Sequence, residues 1–126
     1  MKRVPGRMAL LLAAMAASSC AEIRLRDAMD VVQLRHHRLQ EKLRAGKSFE
    51  SRDAAMELKR ALEAPAVSER SPFAGNAEYE RLLKEAIATA ERVRQAAQRF
   101  EPGALDGLTS EVNAACDACH STFRKT

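Results

Sequence analysis

The chain has 126 residues, enough for one domain with its own core and too few for a second. Its formal charge of +4 points toward nucleic acid, but the excess sits at the start, where "MKRVPGR" carries Lys2, Arg3 and Arg7. Without that segment 18 cations face 17 acids, and a near-neutral chain with one Tyr and no Trp makes a poor nucleic-acid binder.

The basic start leads into an uninterrupted apolar run, "MALLLAAMAA" (Met8–Ala17), and then into small residues. That is the layout of a secretory signal peptide over residues 1–20, too short to span a membrane in the mature protein. It implies export, to the periplasm in a bacterium, where thiols are readily oxidised. Cys20 follows "AASS", as in lipoprotein signals, so it is a candidate lipidation site and a membrane anchor. Such signals usually carry leucine three residues before the cysteine, and here Ala17 stands there. Cleavage after Ala21 would instead discard Cys20.

From residue 21 to 126 everything reads as helix. Leu25, Met29, Val32, His36, Leu39 and Leu43 recur at alternating steps of four and three, the seam of a helix packed at a shallow angle. Gly46 ends it. A second helix, capped by Ser48 or Ser51, turns Ala55, Leu58 and Leu62 inward and closes before Pro65. The stretch Ala64–Asn76, with two prolines and a glycine, is the long connection.

Asn76 is placed to cap a third helix, with Glu78 and Glu80 in its first turn. The expected inward face of that helix runs from Tyr79 through Leu82, Leu83, Ala86, Ile87, Ala90, Val93 and Ala97 to Phe100. "EPG" breaks it, and a last helix from about Leu105 puts Leu108, Val112, Ala115, Cys119 and Phe123 on one side. No stretch alternates with period two. The expected fold is all-α, an up-down-up-down four-helix bundle.

The chain closes on "AACDACHSTFRKT". A redox C-x-x-C pair sits at a helix N-terminus, where the dipole lowers the first thiol pKa; this pair falls near a helix C-terminus. Structural zinc needs four ligands, and beyond Cys116, Cys119 and His120 only His36 or His37 is left. Covalent haem matches best: two thiols add across two vinyl groups while the adjacent imidazole binds iron. The expected cofactor is one haem c.

A signal peptide, four helices and C-x-x-C-H within the last dozen residues resemble the class II cytochromes c, the cytochrome c prime group and its low-spin relatives. "CDACHSTFRKT" strengthens the likeness, since family members often read C-x-x-C-H-x-x-[YF]-R there. The resemblance implies thioethers at Cys116 and Cys119, His120 as proximal ligand, and Phe123 and Arg124 in the haem environment. The plainer reading makes Phe123 ordinary core and Arg124 a solvated cation near the helix end. The resemblance also implies that the first helix supplies the residue facing the open side of the iron. Methionine there gives a low-spin electron carrier; an apolar residue leaves the iron open to NO or CO.

Met29 is the candidate sixth ligand, as far into the first helix as His120 is from the chain end. Core packing is its plainer role, and Met56 on the second helix is the other candidate. His36 is seven residues further along, about 10 Å at 1.5 Å per residue, where it lines the pocket; His37 points off the seam. The family commonly has arginine four residues before the ligand, and here Leu25 stands there between Arg24 and Arg26. The expected function is electron transfer without substrate chemistry. Partners are redox proteins or small gases, and the family analogy allows a homodimer on the first helix. The other readings are NO/CO binding on the same fold and a haem-free structural lipoprotein.

Overall fold

The computed structural model describes residues 4–100 and 103–124, with side chains from Cys20 onward. Lys2 and Arg3, the side chains of the apolar run, and the Glu101–Pro102 part of the break lie outside the described residues. Four helices form: α1 (Val4–Arg44), α2 (Ser48–Leu62), α3 (Ala77–Arg99) and α4 (Leu108–Phe123). Among the described residues none is a strand, and no helix is long and apolar enough to cross a membrane.

Neighbouring helices touch in the ring α1–α2, α2–α3, α3–α4 and α4–α1, with no diagonal contact among the described residues. The α1–α4 contact is by far the slightest. This is the packing expected of a four-helix bundle. The seam of α1 behaves as its spacing demands: Val32, Leu39 and Leu43 are buried, and Leu25, Met29 and His36 are half-buried. Leu39 meets Leu58 of α2 and Val93 of α3 in one core, all three essentially inaccessible. Burying each such side chain is worth about 1.5–3 kcal/mol.

At Gly46 the chain takes φ 67°, a left-handed conformation that costs any residue with a Cβ, and α2 follows within two residues. Neither serine caps α2. Lys47 occupies the cap without a side-chain hydrogen bond, and Ser51 lies on the buried face with its hydroxyl unpaired. The apolar stripe through Ala54, Ala55, Leu58 and Leu62 sets the rotation of the helix, and Ser51 falls on that stripe.

Asn76 caps α3 as its sequence demands, its side-chain oxygen accepting from the Tyr79 amide at 3.1 Å. The buried face matches expectation from Tyr79 to Ala97, with Ile87 half-buried and Thr89 added. Phe100 departs from it. The helix ends one residue earlier, and Phe100 adopts a left-handed φ of 54° that swings its ring out to 60% exposure. Likewise α4 begins at Leu108 rather than Leu105, because Gly107 takes φ 77° and the preceding residues are spent in turns.

Candidate functional site

The last turns of α4 carry the thiols. Positions 113, 116 and 120 recur at steps of three and four, so Asn113, Cys116 and His120 share one side of the helix. Cys116, not Cys119, is the more deeply placed thiol. It joins the core beside Val112 and Leu108, while Cys119, His120 and Phe123 are half-buried. The inward seam expected through Ala115, Cys119 and Phe123 is therefore rotated. Leu108, Val112 and Cys116 point to the centre, and the expected three line its edge.

Electrostatics favour the neutral form of every donor. Burial, the Asp117 carboxylate and Cys119 push the Cys116 thiol up to about 11. Burial raises Cys119 as well. Burial, then the Arg124 cation, hold His120 below its usual value; Asp117 opposes them and His36 adds to them. A neutral imidazole is the metal-binding form. Its ring forms no side-chain hydrogen bond among the described residues.

Arg124 itself is exposed and ends the helix, its backbone N–H donating to the His120 carbonyl at 3.1 Å. Phe123 packs in a trio with Phe73 of the long connection and Tyr79 of α3, ring centroids 5.1 and 5.2 Å away. The Tyr79 hydroxyl donates to the Val67 carbonyl, tying that connection down. This cluster buttresses the outer end of α4 on the side away from α1.

On the α1 side, His36 Nε2 lies 2.9 Å from Asn113 Oδ1, and the Gln40 side-chain amide donates to the same oxygen. His37 points away and pairs with Glu41 at 3.2 Å, off the seam as its position requires. Met29 is half-buried against the core beside Leu25 and Ala28. Met56 is half-buried on α2, and Cys20 is exposed.

Two of the chemistries open to this cluster fare poorly. Thiols held above their usual pKa are poor nucleophiles for disulfide exchange. Among the described residues no three His, Cys, Asp or Glu side chains converge closely enough to hold a bare metal ion. The open groove of about 410 Å³ between α1 and α2 lies elsewhere, lined by Arg38, Lys42, Glu50, Asp53, Ala54 and Glu57.

The sequence reading missed Asn113, Gln40 and Phe73. The first was available from its step of three before Cys116, which puts it on the same stripe. No family model matches this chain, and no curated protein or solved structure matches it either.

Proposed function

We propose that the chain is an exported monohaem c-type cytochrome that carries single electrons. The observation that carries this reading is the donor set on α4: two protonated thiols one turn apart, followed at once by a neutral, unengaged imidazole. Cys116 and Cys119 would hold the porphyrin as thioethers, and His120 would ligate its iron. When bound, haem supplies a one-electron Fe(III)/Fe(II) couple.

The surroundings fit such a group. The α1–α4 contact is the slightest in the bundle, and α1 presents half-buried apolar groups near its open end: Leu25, Ala28 and Met29. These residues would exclude water from one side of a planar ligand, while Tyr79 and Phe73 brace the same end of α4 through Phe123. Arg124 places a cation beside His120, which favours a neutral imidazole and offers a counter-charge to a propionate.

Met29 is the proposed sixth ligand. In an up-down-up-down bundle α1 and α4 run antiparallel. The His36–Asn113 hydrogen bond then sets their register, and seven residues from each, in opposite chain directions, lead to Met29 and His120. His–Met ligation raises the reduction potential relative to two imidazoles and holds both oxidation states with neutral donors. The proposed location is the periplasm, with Cys20 as a lipid anchor. Redox proteins are the expected partners.

Absorption spectra of protein co-expressed with haem-attachment machinery test the reading. Sharp α and β bands on reduction, and a weak far-red band on oxidation that Met29→Ala abolishes, are the expected result. A broad high-spin spectrum that shifts with CO or NO supports gas binding instead. A colourless protein overturns the haem reading and leaves a helical lipoprotein.

A further inference from the structure

The polar contact between α1 and α4 is unlike the others in the bundle. Between α1 and α2 the links are ion pairs, Arg35 and Arg38 to Glu57 and Lys42 to Glu50. Between α2 and α3 the link is Lys59–Glu91. Such pairs are largely solvated and fix geometry weakly. Across α1–α4, one amide oxygen receives two donors, from His36 and Gln40, and all three side chains are half-buried.

A carbonyl oxygen only accepts, so the His36 Nε2 must carry a proton there, and the two donors fill both lone pairs of Oδ1. These are the side-chain hydrogen bonds that join α1 to α4 among the described residues. They cross where the helices otherwise touch least.

We propose that Asn113 is a positioning residue: through His36 and Gln40 it sets how α1 lies along α4, and so whether the Met29 sulfur reaches the haem iron. The inference rests on the haem reading above. Its physical content is the register. Residues 29, 32 and 36 form one stripe of α1, and residues 113, 116 and 120 form one stripe of α4. With His36 opposite Asn113, buried Val32 comes level with buried Cys116, and Met29 with His120.

A slip of one helical turn, about 5.4 Å, would set Leu25 or Val32 near the iron instead. Neither has a donor atom. A slip of one residue would offer Asp30, which is exposed. After the one-turn slip the same chain would be five-coordinate and open to small gases. The amide of Asn113 thus chooses between an electron carrier and a gas-binding protein.

Asn113→Leu keeps the branched side-chain shape and removes the acceptor; Asn113→Asp keeps both bonds. In the full-length holoprotein, the haem per chain, the far-red methionine–iron band and the CO affinity of the reduced form are measured together. Asn113→Leu should carry one haem, lose most of the far-red band and bind CO about tenfold more tightly, the worth of a net hydrogen bond or two. Asn113→Asp should match the wild type. If Asn113→Leu fails to fold, Gln40→Ala, which leaves the His36 bond in place, should raise CO affinity about threefold.

A wild-type far-red band and CO affinity in Asn113→Leu overturn the proposal and leave the haem reading standing. A coloured wild type that lacks the far-red band overturns it too, since Met29 is then off the iron. A colourless wild type overturns both.

Discussion

Replacing Ser51 with alanine should stabilise the protein, the reverse of what most buried substitutions do. Ser51 has no accessible surface, and its hydroxyl has no hydrogen-bond partner. The Lys47 carbonyl one turn back accepts from the Ser51 backbone N–H at 2.8 Å, and the hydroxyl does not share it. A desolvated, unpaired hydroxyl costs about 1–3 kcal/mol. Alanine adds about 0.5 kcal/mol of helix propensity, and the small void left by the oxygen gives part of this back. The net expectation is about 1–2 kcal/mol of added stability, or roughly 5 °C or more in Tm for a domain of this size. Urea unfolding followed by far-UV circular dichroism measures it: the midpoint should rise while the slope stays constant. A lower midpoint would refute the reasoning, because the hydroxyl would then be bonded in the folded protein.

Three further outcomes are expected of this fold. Arg94 first, and Lys59 after it, hold Glu91 down at about 2; its share of stability is present above pH 4.5 and lost as pH falls toward 2, so Glu91→Gln should flatten acid unfolding between those limits. In unprocessed, haem-free chain at pH 8, iodoacetamide should modify exposed Cys20 fastest and Cys116 slowest, the latter being buried and shifted up to about 11; mass spectrometry of timed samples reads the order, and equal rates would contradict the burial. Asn76→Ala removes the oxygen that accepts from the Tyr79 amide and should cost about 1 kcal/mol in urea unfolding.

The periodic stretches of this chain declared themselves, and the places where two requirements competed did not. Asn76 was legible because a cap residue, two acids and a long apolar stripe all agree on one helix start. Ser51 was misread because capping propensity and position on the stripe conflict, and burial of the stripe won. Phe100 continues the α3 spacing, yet it is itself the left-handed residue that ends the helix; backbone strain of that kind leaves no mark in hydrophobic periodicity.

At the candidate site, C-x-x-C-H marks the candidate donors because their chemistry depends on local spacing alone. Which thiol lies deeper depends on the rotation of α4, which Leu108 and Val112 decide. Asn113 escaped notice because a half-buried amide on a helix face has no pattern of its own, and only its partners on α1, more than seventy residues earlier, give it meaning.

The length of α1 bears on how the protein would mature in the proposed exported form. Its 41 residues span about 60 Å, far beyond the 23 residues and about 35 Å of α3. Cleavage before Cys20 or after Ala21 would leave about 25 residues of α1, close to the length of its longest neighbour. Processing would then trim a protruding rod to the height of the bundle. In the proposed topology the cut end lies at the same pole as the C-terminus of α4. A lipid on Cys20 would therefore hold that pole against the membrane, with the proposed iron ligand Met29 about 14 Å along α1 from the anchored end.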